Sequence, residues 1–257
     1  MKKLIFLFLL IPIIASGQIT SKILPSLKPP SERIALAYDA NQPLNIDDEC
    51  KVWLDGDDAS TFTLNGTKVI QWDDKGALGA DVSNDVDATR PTYDINTGRV
   101  TFTAANSTFL QSAAFASTLG QPITVFIVAK HSSYATSYTY LFASLSINKP
   151  LFNVNDLNKW QFFAGVPIVT STQGNANDNI FTVLFNGVSS ALYINGVLDV
   201  AGAIGTGVMD GLTLGINYVL SYPSNSEIGE VIIYNADISD VDRDKITGYL
   251  ANKWGVY

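Results

Sequence analysis

The number and spacing of the acidic side chains indicate whether this chain could be a glycoside hydrolase. Cleavage of a glycosidic bond uses two carboxyl groups that flank the same bond. The sequence contains four glutamates, of which only Glu227 and Glu230 are close together. In a regular strand, residues three apart point to opposite faces of the sheet, so we expect this pair not to reach one bond. Asp55 and Asp57 could replace it in a divergent hydrolase, but they are more simply turn or cation-binding residues.

The single histidine, His131, offers little further chemistry. A zinc site would need partner ligands at regular spacing, and a serine hydrolase would need a Gly-x-Ser-x-Gly turn. The sequence has neither near His131. We therefore predict no catalytic residue, and we interpret His131 as a solvated loop residue.

Aspartates form two groups that could bind calcium, which prefers carboxylate and carbonyl oxygens. They are Asp55, Asp57 and Asp58, and then Asp73 and Asp74 with Asp81. The alternative is that these aspartates only stabilise turns and helix ends. Ca²⁺ is the one cofactor that the sequence suggests.

Aromatic side chains in polar segments are the natural platform for a sugar, because sugar rings stack on them while neighbouring amides bind the hydroxyl groups. The candidates for ligand binding are Tyr134, Tyr138, Tyr140, Trp160, Tyr218 and Tyr222. Tyr138 and Tyr140 alternate, which predicts that they share one face of a strand. The alternative is that each is an ordinary half-buried residue.

The clearest structural pattern that could position these residues lies at the end of the chain. Residues 229–234 are predicted to form a strand because they contain an apolar run, residues 231–234, that is too short for a helix. Ser239 can cap a helix that ends at Gly255. An apolar stripe on this helix predicts that it packs along the edge of a β-sheet. The stripe contains Ile246, Tyr249, Leu250 and Trp254.

Short strands separated by Gly, Asn and Asp fill the rest of the chain from residue 50, which predicts an all-β, two-sheet antiparallel sandwich with a short C-terminal helix. Asn195-Gly196 predicts a tight hairpin. The apolar run 123–129 predicts a central strand covered on both faces. The predicted strands are 52–54, 69–72, 100–103, 109–111, 123–129, 138–144, 160–164, 180–185, 190–194, 198–200, 212–216 and 229–234.

The chain resembles laminin-G-like domains of the concanavalin A-like lectin/glucanase superfamily, found in bacterial secreted and phage-associated proteins. The matching segments are Gly-Glu-Val-Ile-Ile-Tyr-Asn from residue 229, Ser-Asp at 239, Lys-Trp-Gly at 253, Val-Trp-Leu-Asp-Gly-Asp-Asp from 52, Val-Ile-Gln-Trp-Asp-Asp-Lys from 69 and Arg-Pro-Thr-Tyr from 90. The resemblance implies a jelly-roll fold over residues 50–257, core positions for Trp53, Trp72 and Trp254, and one Ca²⁺ near the rim in many members. The superfamily's glucanases carry two glutamates four or five residues apart with an aspartate between them, and this chain lacks that motif.

The N-terminus and the charge suggest where the protein works. Residues 1–17 have the basic, apolar and small-residue regions of a secretory signal, and the proline-bearing segment 18–49 reads as an extended linker. We therefore predict a bacterial protein exported to the periplasm or the extracellular space, with no membrane insertion after cleavage. Without Lys2 and Lys3 the formal charge is 14 − 24 = −10, which disfavours nucleic acid as a partner.

These observations favour a secreted, non-catalytic, lectin-like module that binds a carbohydrate or a surface polymer. The alternatives are a structural or adhesion module on a cell surface or virion, with a protein partner or self-association, and a divergent glycoside hydrolase. The lone Cys50 cannot form a disulfide within the chain. It is therefore either a buried thiol or an intermolecular bridge.

Overall fold

The structure is a computed structural model that describes residues 42–43, 49–131 and 137–256. The predicted signal 1–17 and most of the predicted linker 18–49 lie outside these residues. The described part contains seventeen strands, four short 3₁₀ turns and one α-helix, α1 (Asp240–Trp254). None of its helices is long and apolar enough to span a membrane.

The strands are short, and nearly all are joined by loops that carry Gly, Asn, Asp or Ser. They are β1 (Cys50–Asp55), β2 (Phe62–Asn65), β3 (Lys68–Trp72), β4 (Val82–Ser83), β5 (Thr92–Asp94), β6 (Arg99–Phe102), β7 (Leu110–Ser112), β8 (Ile123–His131), β9 (Thr139–Ala143), β10 (Leu151–Val154), β11 (Lys159–Phe163), β12 (Pro167–Gln173), β13 (Asn179–Phe185), β14 (Ser190–Ile194), β15 (Val197–Gly202), β16 (Thr213–Leu214) and β17 (Ser226–Tyr234).

All pairings are antiparallel and form one continuous network. One run of neighbours is β1, β17, β8, β13, β14 and β15, and a second is β2, β3, β4, β7, β16, β9, β10, β11 and β12. Strand β5 pairs with both β3 and β6, and β6 pairs with β17, so the two runs are joined. The terminal strands β12 and β15 also contact each other. The all-β prediction is confirmed, and the sheet is nearly closed.

The main core lies inside this closed sheet. It contains fully buried aromatic rings, including Trp72, Phe142, Phe152, Trp160 and Phe181. Burying one such side chain contributes roughly 1.5–3 kcal/mol. In β8, alternate residues face this core, while Phe126 and Val128 are buried on the other face. The predicted central strand, covered on both faces, is therefore present.

Helix α1 begins and ends at the predicted residues. The Ser239 hydroxyl accepts the Asp242 amide at 3.2 Å, and Gly255 closes the helix with a left-handed φ of 67°. The prediction that it packs along a sheet edge is wrong, because it packs on a face of β17. A Cβ atom at Gly229 would lie 2.8 Å from the Trp254 ring, so only glycine allows this contact.

A β-bulge at Gly229 corrects a second expectation. Glu227 pairs with Lys130 and Glu230 pairs with Val128, so Gly229 is the extra residue on β17. Lys130 and Val128 are two residues apart and share a face of β8. Glu227 and Glu230 therefore lie on the same face of β17, although three-residue spacing predicts opposite faces.

Candidate functional site

A buried carboxylate lies under α1. The Glu230 side chain is fully buried, and its Oε1 accepts hydrogen bonds from Trp53 Nε1 and from the Tyr249 hydroxyl, both at 2.8 Å. Its Oε2 accepts one from Trp254 Nε1 at 2.7 Å. Pairing of β1 with β17 sets Asp55 opposite Glu230, so strand register and the helix together bring these groups into one place.

Two lysines complete this cluster, which we call the carboxylate–lysine network (Glu230, Asp55, Lys253 and Lys75). Lys253 Nζ lies 3.0 Å from Glu230 Oε2 and also bonds Asp55. Lys75 Nζ lies 3.1 Å from Asp55 Oδ2 and 4.0 Å from the centre of the Trp53 ring. Burial raises the pKa of Glu230, and the Lys253 charge opposes that rise. The network is thus a set of paired charges around one fully buried carboxylate.

An open groove of about 590 Å³ borders the network. Its lining consists of Asp55, Asp57, Asp58, Lys75, Tyr249, Asn252 and Lys253. Lys75 Nζ also bonds Asp58 Oδ2 at 2.9 Å. The Ser60 hydroxyl and Lys75 together hold the pKa of Asp58 at about 2. Lysine ammonium groups therefore already occupy positions beside Asp55 and Asp58, two of the three aspartates in the first predicted calcium group.

The second predicted aspartate group organises a loop. Asp74 accepts the backbone amides of Trp53, Gly76 and Ala80, each at 2.7 Å, while burial raises its pKa. The Asp73 side chain accepts a hydrogen bond from the side-chain amide of Gln71 at 2.7 Å. In the described part of the chain, no group of three or more His, Cys, Asp or Glu side chains is placed to hold a metal ion. Calcium binding stays a prediction.

Three of the predicted ligand-binding aromatics meet at one end of the molecule. The Tyr222 ring centre lies 6.2 Å from that of Tyr138 and 6.4 Å from that of Tyr140. We call these three residues the tyrosine cluster. Tyr138 and Tyr140 share a face, as their alternation predicts. Tyr222 is 49% exposed and the other two are half-buried, so the cluster presents aromatic surface to solvent.

Amide side chains adjoin the cluster. The side chains of Asn153 and Asn217 lie near the Tyr140 hydroxyl, whose pKa is raised mainly by burial. Asn153 is directly opposite Tyr140 in the pairing of β9 with β10, and its Oδ1 has no partner. Tyr218 also lies near Tyr140. Asn153 and Asn217 are themselves buried, at 1% and 3% exposure. The surface open to a ligand therefore consists of tyrosine rings and hydroxyl groups, which suits a polyhydroxylated ligand.

The segment 217–222, which we call the 217–222 loop, holds Tyr222 in place. Asn217 Oδ1 accepts the amides of Val219 and Ser221 at 3.1 and 2.8 Å. Leu220 and Tyr222 adopt left-handed φ angles of 55° and 57°, which cost a bulky residue roughly 1 kcal/mol each. Such strain is retained where the local structure must present a side chain in one direction.

The remaining predicted residues lie elsewhere. Trp160 is fully buried, with its ring centre 5.5 Å from that of Phe152 and 4.4 Å from that of Phe181. This corrects its assignment to the binding surface, because no ring face is free. Tyr134 lies outside the described residues. His131 is also buried rather than solvated, and burial lowers its pKa to about 4.

Sequence reasoning missed Asn153 and Asn217 at the tyrosine cluster, and Glu230, Lys75 and Lys253 at the network. Asn217 precedes two tyrosines in a segment without charges, which was the available signal. Asn153 lies inside an unrecognised strand, β10. Its position opposite Tyr140 follows from strand register, which the sequence does not reveal.

Comparison with known proteins adds evidence on the fold. No protein-family model and no curated protein matches the chain. The ligand binding domain of botulinum neurotoxin serotype D, solved with N-acetylneuraminic acid, aligns with a TM-score of 0.58 and 13% identity over 79% of this chain and 52% of that one. The receptor binding domain of the C/D mosaic serotype gives the same values.

A structure of botulinum neurotoxin type C, described as dependent on two ganglioside molecules for cell entry, aligns with a TM-score of 0.57 and 13% identity over 80% of this chain. The chain spans about half the length of these structures, since it covers 52% of each. Identity this low demonstrates a shared β-rich fold and no more.

Proposed function

We propose that this protein is an exported, non-catalytic carbohydrate-binding module and that the tyrosine cluster is its glycan-binding surface. The observation that carries the proposal is the convergence of Tyr138, Tyr140 and Tyr222 from two distant segments, with part of the aromatic surface open to solvent. A core has no need to expose aromatic rings in this way.

The chemistry of the cluster suits a sugar. The C–H faces of a pyranose ring pack against aromatic rings, and the tyrosine hydroxyl groups can both donate hydrogen bonds to sugar hydroxyl groups and accept them. Strain in the 217–222 loop fixes Tyr222 before a ligand arrives. A site ordered in advance loses less conformational entropy on binding.

We further infer that the fold is a concanavalin A-like, laminin-G-like jelly roll. The motif resemblance over residues 50–257 supports it, as does the likeness to the botulinum neurotoxin receptor-binding domains. One of those neighbours was solved with N-acetylneuraminic acid. These proteins make a glycan a reasonable partner for the present chain.

The non-catalytic assignment rests on the surroundings of the two glutamates. They share a face of β17, yet both oxygens of Glu230 are engaged by Trp53, Tyr249, Trp254 and Lys253. Glu227 is paired with Lys130 at 3.1 Å. Neither carboxyl group is free to act on a bound sugar.

The adhesive alternative receives less support. Cys50 is buried, and burial raises the pKa of its thiol to about 12. A thiol in this state is a poor candidate for an intermolecular disulfide. Self-association would therefore need another surface.

Titration calorimetry and a glycan array test the proposal. The purified protein, in Ca²⁺ and in EDTA, is compared with Tyr222→Ala, with Tyr222→Phe, which keeps the ring, and with Val197→Ala on the distant exposed hairpin. We expect at least one glycan to bind, with affinity reduced tenfold or more in Tyr222→Ala and unchanged in Val197→Ala. Tyr222→Phe should stay within about threefold. A blank array, or equal binding by Tyr222→Ala, would refute the proposal.

A further inference from the structure

The two segments that form the tyrosine cluster carry almost no charge. Residues 131–148 contain no Lys, Arg, Asp or Glu, and His131 is their one titratable nitrogen side chain. Residues 211–226 contain no charged side chain at all. In a chain with 16 basic and 24 acidic residues, these are long uncharged stretches. The segments that supply the tyrosine rings therefore contribute no acidic side chain and no Lys or Arg.

Four charged residues flank these segments in sequence: Lys130, Lys149, Asp210 and Glu227. Lys130 and Glu227 form an ion pair at 3.1 Å, and Asp210 Oδ1 accepts the Leu145 amide at 2.9 Å. Lys149 lies between β9 and β10, at the opposite end of β9 from Tyr138. His131 is buried against Trp160 and bonds the Thr139 hydroxyl at 2.8 Å. Because burial lowers its pKa to about 4, His131 is uncharged at neutral pH. No cation in these segments is available to a ligand.

This neutrality bears directly on the class of sugar. A carboxylate that leaves water for a binding site needs a charged partner or several aligned donors, because desolvation of an unpaired charge is costly. Proteins commonly recognise such anions with Arg or Lys. The net charge of −8 adds a long-range repulsion. A neutral sugar meets neither obstacle.

We infer that the tyrosine cluster selects neutral glycans and rejects those that carry carboxylate or sulfate groups. The inference rests on the proposed function, since it specifies the ligand class of the same surface. The ring faces and the tyrosine hydroxyl groups recognise hydroxyl-bearing pyranose units. Uronic acids and sialic acids are disfavoured because the segments that carry the tyrosines supply no cation.

The test compares neutral and acidic glycans of matched backbone. The probes are lactose with 3′-sialyllactose, xylan with glucuronoxylan, and fully methyl-esterified with de-esterified polygalacturonan, on an array that also holds other neutral, carboxylated and sulfated glycans. Each is measured with the natural protein and with Tyr222→Ala. We expect all binding that depends on Tyr222 to be to neutral glycans, at least tenfold tighter than to any acidic counterpart.

A charge-gain variant provides a positive control. Val219 is 58% exposed beside Tyr222 and contributes only its backbone amide to the loop bonds, so Val219→Lys should fold normally. We expect it to bind the acidic partner of the preferred glycan at least fivefold better than the natural protein does. Val197→Lys, equally exposed on the distant hairpin, should not.

The outcomes separate the two proposals. Binding of an acidic glycan as tight as its neutral partner, lost in Tyr222→Ala, would overturn the selectivity and keep the glycan-binding function. Failure of Val219→Lys to gain acidic binding would also count against charge as the basis of selection. A blank array would refute the glycan-binding function and the selectivity with it.

Discussion

The carboxylate–lysine network and the tyrosine cluster contain similar side chains but have opposite roles. In the network, the Trp53 and Trp254 indoles and the Tyr249 hydroxyl all donate to one buried carboxylate. In the tyrosine cluster, the rings meet mainly one another and solvent, and Tyr222 is 49% exposed. The polar groups of the network therefore bond one another within the protein, whereas the tyrosine cluster leaves aromatic surface exposed to a ligand.

The difference shows why polarity and aromatic content alone do not locate a site. A buried charge must be paired and hydrogen-bonded, or the fold does not tolerate it. The network meets that demand and fastens α1 to β17. Exposed aromatic rings need no such pairing, and they contribute little to the free energy of unfolding. We therefore expect changes in the network to alter folding, and changes in the cluster to alter binding.

The largest effect should come from Glu230→Ala. Its loss removes the carboxylate that accepts from the Trp53 and Trp254 indoles and the Tyr249 hydroxyl, and leaves Lys253 with Asp55 as its one carboxylate partner among the described residues. We therefore expect the free energy of unfolding to fall by about 3–5 kcal/mol. Glu227→Ala is the matched control, because Glu227 lies on the same strand and face but its ion pair with Lys130 is partly exposed. That change should cost at most about 1 kcal/mol. Urea unfolding measures both.

Equal destabilisation by the two variants would break the comparison, since it would mean that the network contributes no more than a surface pair. Loss of glycan binding in a folded Glu230→Ala protein would break it in another way. The groove beside the network would then be part of the binding site.

The sequence predicts local structure well where a few neighbouring residues determine it. Ser239 and Gly255 mark the ends of α1, and Asn195-Gly196 turns the hairpin with φ angles of 52° and 79°. All twelve predicted strands correspond to observed ones. The missed strands are β2, β4, β5, β10 and β12. They are short or carry mixed polar residues, so alternation does not single them out.

Features that depend on distant segments are not predictable in this way. The Trp254 ring lies on Gly229, the extra residue of the bulge, and the bulge brings Glu230 to the face of Glu227. Burial of Trp160 and His131 follows from the arrangement of β8, β10, β11 and β13. A polar neighbourhood in sequence does not show that a side chain is exposed.

The candidate site was predicted in part. Alternation placed Tyr138 and Tyr140 together, and composition suggested Tyr222. Its position against them depends on the left-handed φ angles at Leu220 and Tyr222, which sequence rules assign to Gly or Asn. The conformation of the 217–222 loop is therefore not predictable from the sequence.

His131 tests the region between the core and the tyrosine cluster. Its pKa of about 4 in the folded protein lies below the usual 6.5, so the unfolded chain binds more protons between these values. The stability that neutral His131 provides is present above pH 6.5 and is lost as the pH falls toward 4, by about 3 kcal/mol. Urea unfolding at pH 7 and 4.5 should show this loss in the natural protein and a smaller one in His131→Gln. The same pH dependence in both would show that His131 is not the group responsible.

The smallest effect should have the opposite sign. Leu220 adopts a φ of 55° and is 46% exposed. Leu220→Gly therefore removes backbone strain and gives up little buried apolar surface. We expect a gain of roughly 0.5–1 kcal/mol in the free energy of unfolding, together with weaker glycan binding because the 217–222 loop becomes less ordered. Val219→Gly is the matched control, since Val219 is similarly exposed but has no left-handed angle, and it should lose stability. If Leu220→Gly is no more stable than Val219→Gly, the loop is unstrained. If Leu220→Gly gains stability and loses affinity, the tyrosine cluster, unlike the network, holds Tyr222 in its binding position at a cost to the stability of the fold.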